Sequence, residues 1–160
     1  MNRSLMLLAA AALSACSSYG PGSLSKDATV EAATQAMGKP TADLMLPNGE
    51  RRLEYARGPY GKHTYLLDFD AQGHLLRWDQ VLTENRFNAI LAGMTAGDVL
   101  AQIGHASETY YIGWQKQTVW AYRYESPFCV WFQVGLDQQG KVVDTAYGPD
   151  PFCEHPRDAP

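Results

Sequence analysis

The chain of 160 residues holds three cysteines and four histidines, and one Ser-x-x-Lys pair, as its most obvious chemistry-bearing groups. Ser23-Leu24-Ser25-Lys26 has the spacing of a serine nucleophile with a lysine base, but it lies in a Gly/Ser/Pro-rich stretch with no buried environment to activate it. His63, His74 and His105 fall at a strand start, in a turn and after a helix, which reads as three separate exposed imidazoles. No H-E-x-x-H, phosphate-binding glycine loop or nucleophile elbow occurs. Asp68 and Asp70 sit at a hairpin, where turn chemistry accounts for them. Cys129 and Cys153 each end a Pro-Phe-Cys triplet, and Cys153-Glu154-His155 places three metal-ligand types in a row. Neighbours in coil rarely converge on one ion without help from elsewhere in the fold. The expectation is a protein that is not an enzyme, with no metal and no cofactor.

The elements that position these groups are legible from spacing. Leu82–Gly104, LTENRFNAILAGMTAGDVLAQIG, predicts two short helices. Thr83 caps the first, Leu82 and Phe87 form a hydrophobic staple, and Gly93 stands at its left-handed end. Thr95 and Asp98 form a capping box for the second, with Met94 and Val99 as its staple and Gly104 as its stop. The expected buried stripes are Phe87/Ile90/Leu91 and Val99/Leu100/Ile103. Upstream, Val30, Ala33, Thr34 and Met37 recur at helical spacing, with Gly38 and Pro40 beyond.

Strands are predicted at 42–46, 51–57, 63–69 and 75–81, and again at 108–114, 118–124, 129–136 and 141–147. Asp70-Ala71-Gln72-Gly73 and Asp137-Gln138-Gln139-Gly140 are type I turn sequences 67 residues apart, and the helix stops Gly38 and Gly104 are 66 apart. The fold class is therefore α+β: two tandem helix–antiparallel-sheet repeats, helices packed on one face of the sheet. The divisions are a leader at 1–15, a tether at 16–25, repeat 1 at 26–82, repeat 2 at 83–148 and a tail at 149–160.

Alternation assigns the faces. Leu53, Tyr55, Tyr65, Leu67 and Phe69, with Trp120, Tyr122, Tyr124, Phe132 and Val134, should lie under the helices. Thr64, Leu66, Asp68, Ala121, Arg123, Trp131 and Gln133 should point to an open face. Of these, Trp131, Arg123, Gln133 and Leu66 are the candidate partner-binding residues, since exposed aromatic and arginine side chains anchor interfaces. Stacking of a glycan on Trp131 and Trp114 is a further reading of the same aromatics.

The N-terminus is an address. Arg3 precedes the apolar run Leu5–Leu13, too short to remain as a membrane span, and Leu13-Ser14-Ala15-Cys16 resembles the lipobox of bacterial lipoproteins. The resemblance implies cleavage before Cys16, lipid attachment to its thiol and membrane anchoring through it; Ser17 implies the outer membrane, facing the periplasm. Ser17–Ser25 then reads as a flexible tether. In an oxidising periplasm the remaining Cys129 and Cys153 argue for a disulfide. It would close a loop of about 25 residues worth roughly 3–3.5 kcal/mol in the chain-entropy model. The formal charge of -4, with no basic run, speaks against a nucleic-acid partner.

Leu82, Thr83, Phe87, Gly93-Met94-Thr95, Val99, Gly104 and the Trp120-x-Tyr122 pair, with the Cys16 lipobox, resemble the BamE/SmpA/OmlA group of outer-membrane lipoproteins. The first half retains mainly Met37-Gly38-Lys39-Pro40 and the sheet. Two such units in tandem resemble the architecture of β-lactamase-inhibitor proteins. The resemblance implies a non-catalytic envelope scaffold or assembly factor that binds envelope proteins, in its narrowest form an accessory of the β-barrel assembly machinery. The alternative it implies is an inhibitor or binding module that occupies a periplasmic enzyme through the open sheet face.

Overall fold

The two hairpin turns fold alike, and the rest of each repeat follows from them. In the computed structural model, which describes residues 18–154, the Gly73 N–H donates to the Asp70 carbonyl at 3.0 Å, and Asp70 Oδ1 accepts from Gln72 and His74. Sixty-seven residues on, Gly140 donates to Asp137 at 3.0 Å, and Asp137 Oδ1 accepts from Gln139 and Lys141. Both glycines have positive φ, 85° and 71°, where a side chain would be strained. Expectations for the leader 1–15, for Cys16 and Ser17 and for His155 fall outside the described residues.

Each repeat is a helix followed by a four-stranded antiparallel meander. In the first, α1 (Val30–Met37) precedes β1 (Ala42–Met45), β2 (Arg51–Ala56), β3 (Thr64–Phe69) and β4 (Leu75–Gln80), paired in that order. The second has α2 (Glu84–Phe87) and α3 (Ala96–Ile103), then β5 (Glu108–Ile112), β6 (Gln117–Arg123), β7 (Val130–Leu136) and β8 (Val142–Pro149), in the same order. A last turn of helix, α4 (Pro151–Glu154), follows. The correspondence extends to irregularities. Register shifts fall at Asp68/Phe69 and Gly135/Leu136, and single bridges join Thr29 to His74 and Thr95 to Lys141. No helix among the described residues is long and apolar enough to cross a membrane.

The helices form where capping and apolar spacing agree. Thr29 accepts from Ala32 N–H, Thr83 from Arg86 N–H, and Thr95 and Asp98 close a reciprocal capping box. Under α1, the core gathers Val30, Ala33 and Met37 with Leu53, Tyr55, Leu67 and Phe69. Under α2 and α3 it gathers Phe87, Ile90, Val99 and Ile103 with Tyr122, Tyr124, Phe132 and Val134. Phe87 stacks on Phe132 at 4.3 Å between centroids. The helix-side face is thus as the alternation predicts. Two details of the stripes differ: Leu91 is 61% exposed, because α2 ends at Phe87 and the chain turns before reaching it, and Leu100 is only half-buried.

The expected tether is not free over its described part. Arg57 donates to the carbonyls of Ser18 and Tyr19, Ser18 N–H donates to Ala36, and Pro21–Ser23 makes a 3-10 turn with Pro21 buried. Tyr19 packs edge-on to His63 and Tyr65. An arginine in reach of two carbonyls and an aromatic cluster holds residues 18–20 on the first sheet.

The larger correction concerns the open faces. On the first sheet, Thr64, Leu66 and Asp68 are buried, along with Glu54, which the alternation also places there. The turn after α3 lies against this face. His105 donates its backbone N–H to Glu54 Oε1 at 2.7 Å, its Nδ1 is 2.8 Å from Oε2, and Arg52 reaches the carbonyl of Ala101. Gly104, at φ 73°, sits so close that an added Cβ would stand 2.8 Å from Glu54 Oε1 and from Thr64 Cγ2. The first sheet therefore spends its open face on the joint between the repeats.

Candidate functional site

The open face of the second sheet carries Tyr110 and Ile112 from β5, Gln117, Val119, Ala121 and Arg123 from β6, Trp131, Gln133 and Gly135 from β7, and Asp144, Ala146 and Gly148 from β8. One end of it is covered. Arg123 is 3% exposed and forms a two-pronged ion pair with Asp150, at 2.5 and 2.8 Å, while also donating to the carbonyl of Pro59. Its guanidinium lies 4.0 Å from the Phe152 ring centroid. The tail that brings Asp150 and Phe152 there is tied to the start of β7 by a disulfide between Cys129 and Cys153, whose Cα atoms are 6.1 Å apart. Burial alone would push the Asp150 carboxyl up; hydrogen bonds from Arg123 and Phe152 N–H and the nearby cations outweigh it and hold it below the usual range.

Trp131 is likewise covered, 6% exposed beneath Tyr110, with the two rings stacked at 6.3 Å. So of the four residues expected to grip a partner, Arg123, Trp131 and Leu66 are buried, and only Gln133 faces an opening. The faces were assigned correctly, but a second layer covers them: the tail over Arg123, Tyr110 over Trp131, and the joint over the sheet that carries Leu66. Strand alternation cannot register a layer supplied from elsewhere in the chain.

What stays open is the other end of the face, a groove of about 380 Å³. Its floor is Gln117, Val119, Gln133 and Gly135; Tyr110, Ile112 and Trp114 stand on one side and Asp144 and Ala146 on the other. Across four strands it is about 14 Å wide, three spacings of about 4.8 Å. Trp114, in the β5–β6 hairpin turn, is 84% exposed. Gln133 Nε2 donates to the Tyr110 hydroxyl at 3.0 Å. Burial, with the charge of Glu108 behind it, pushes the Tyr110 phenol above its ordinary value, so it stays a neutral hydroxyl at physiological pH.

The repeat explains why the groove exists on this sheet and not on the other. The registers Arg52↔Asp68↔Arg77 and Val119↔Gly135↔Asp144 occupy the same places in the two meanders. In the first sheet Asp68 accepts from Arg52 at 2.6 and 2.9 Å and is 2.6 Å from Arg77, which also holds Glu50. Burial would raise the Asp68 carboxyl, and its two arginines outweigh that and hold it low. In the second sheet valine and glycine replace the first two members. An added Cβ at Gly135 would lie 2.4 Å from Asp144 Oδ1 and 3.1 Å from Gln117 Oε1, so the missing side chain is what lets those two groups lean over the floor. Among the described residues, the Gln117 amide and the Asp144 carboxylate take part in no side-chain hydrogen bond or ion pair. The lining therefore offers amides, one phenol, one carboxylate and an exposed indole, which is hydrogen-bonding and stacking chemistry. Trp114 was within reach of sequence reading as an exposed aromatic; Gln117 and Asp144 carried no signal until the registers were known.

Among the described residues no group of three or more His, Cys, Asp or Glu side chains is placed to hold a metal ion. His74 and His105 are exposed, as expected, although His105 is bonded to Glu54, whereas His63 is half-buried and stacked on Tyr65 at 5.8 Å.

No family model matches the chain, and no curated protein matches it. Among solved structures it is similar to a "putative beta-lactamase inhibitor protein" from Streptococcus mutans, at 9% identity, over 75% of this chain and 82% of that one, with a TM-score of 0.32. It is also similar to a cysteine-rich secretory protein from Staphylococcus aureus subsp. aureus Mu50, at 9% identity and a TM-score of 0.27, over 77% of this chain and 44% of that one. At these scores the likenesses carry no functional argument.

Proposed function

We propose that the protein is a non-catalytic lipoprotein of the outer membrane, anchored through Cys16, that works as an envelope scaffold by presenting the second sheet's groove to a partner in the periplasm. The observation that supports it is the contrast between the repeats: one open face is consumed by the joint, while the equivalent face of the other keeps a lined groove with unpaired polar groups. One carboxylate and one hydrogen-bonded phenol, with no histidine, cysteine, serine or lysine in the lining, support binding rather than turnover. The narrower role in β-barrel assembly draws on the Leu82–Gly104 and Trp120/Tyr122 motifs, and on nothing in the groove. The second reading, an inhibitor that occupies a periplasmic hydrolase, would use the same face.

A photo-cross-linking amino acid at position 114 in whole cells tests this. The expected outcome is an adduct specific to that position and absent with the same group at exposed Phe128. Barrel-assembly components in the adduct would support the narrower role, and a soluble hydrolase the inhibitor. Equal labelling at both positions, or none, would overturn the groove as a surface for protein partners. Replacing Cys16 by Ala should abolish incorporation of labelled fatty acid into the chain and leave its leader uncleaved; unchanged labelling would remove the anchor.

A further inference from the structure

We propose that the groove on the second sheet takes an uncharged oligosaccharide strand, with Trp114 as the stacking face and Gln117, Gln133 and Asp144 as partners of its hydroxyl and amide groups. This rests on the groove being the recognition surface and names the class of its occupant. Gln117 is the first support. It is 9% exposed, yet its amide meets no partner among the described residues and opens into the groove. An amide that opens to water in a groove, with no protein group competing for it, is free to exchange bonds with a ligand rich in donors and acceptors.

Trp114 is the second. A pyranose ring has an apolar C–H face and a rim of hydroxyls, so it can lie on an indole while its edge reaches amides and a carboxylate. The groove sets the indole 84% in water at its side and the amides along its floor. Charge is the third. Asp144 is the one acidic side chain in the lining, and no lysine or arginine joins it. A polyanion would meet a carboxylate with no cation to offset it. Asp144 instead accepts from neutral hydroxyls, where the equivalent Arg77 of the first repeat is locked to Asp68 and Glu50. A docking protein would seat an apolar anchor at the centre of its interface and leave the floor amides unpaired. The groove's chemistry favours the sugar.

The full mature lipoprotein in detergent micelles is titrated calorimetrically with neutral tetrasaccharides of the chito-, cello-, malto- and manno- series and with a sulfated tetrasaccharide. At least one neutral probe should bind and the sulfated one should not. Trp114→Ala should weaken that binding about tenfold, the size of loss expected for a central aromatic anchor. Gln133→Ala should weaken it as well, and Phe128→Ala, on another part of the surface, should not change it. Unaltered binding in Trp114→Ala, or preference for the sulfated probe, would overturn the proposal. If no neutral probe binds while position 114 cross-links a protein in cells, the glycan is wrong and the groove stands; if both fail, the groove reading falls too.

Discussion

Arg123 shows how a residue that looks like a binding anchor becomes a structural one. It is buried, paired twice with Asp150 and capped by Phe152, so truncating it leaves a buried carboxylate without its counter-charge. Arg123→Ala should lower the unfolding free energy by about 3–5 kcal/mol in urea titrations, and Asp150→Ala on top of it should add much less than its own single loss. Trp131 belongs to the same class. Trp131→Ala should cost about 3–5 kcal/mol of stability, and loss of partner capture without loss of stability would contradict its burial. Asp68 and Asp150 both have carboxyls held below their unfolded values. Their contribution is complete above the unfolded value of about 3.9 and is lost as pH falls through the folded values. Acid denaturation should therefore steepen below about pH 4, and Asp68→Asn should flatten that limb in pH-dependent melts.

At the scale of elements, α3 is the hinge of the design. One side buries Val99 and Ile103 in the second core, and its C-terminal turn lies on the first sheet. Val99→Asp should unfold the second repeat and the first with it, whereas Leu100→Asp, half in water, should cost far less; circular dichroism melts separate them. Gly104→Ala combines a positive φ with contacts at 2.8 Å to Glu54 and Thr64. It should cost about 1–3 kcal/mol or more, and the loss should spread to the first repeat, read as reduced amide-exchange protection in β2 and β3. The helix pair was legible from its caps because a capping box is a local object: Thr95 and Asp98 are three residues apart and need nothing else. Its length was not, because whether Leu91 stays in helix depends on where the chain must turn to meet β8. The turn is set by Gly93 and Met94 bonding to Val142, a contact made nearly fifty residues away.

For the whole molecule, the disulfide decides what the second sheet shows. Cys129 and Cys153 hold the tail over Arg123, while the groove at the far end depends on neither. Reduction should lower stability by roughly 3 kcal/mol in the chain-entropy model and release residues 150–154 to proteolysis, with Trp114-dependent ligand binding intact. Loss of that binding on reduction would show the two ends of the face to be coupled. The shared seam, with Glu54, His105, Arg52 and Ala101, makes the repeats one cooperative body, so denaturant unfolding is expected in a single transition.

By itself the sequence determined the elements, their caps, the tandem repeat and the helix-side core, since these follow from spacings of 2, 3.6 and 67 residues and from turn residues acting locally. It also determined which side chains share a strand face. Only the tertiary structure decided which of those faces meets water. That outcome depends on layers brought from far along the chain: residues 101–105 over Glu54 and Thr64, Asp150 and Phe152 over Arg123, and residues 18–20 against Arg57 and Tyr65. A glycine at 135 where the first repeat has Asp68 then leaves one stretch of sheet uncovered. Burial is a sum over the whole fold, and no window of sequence contains it.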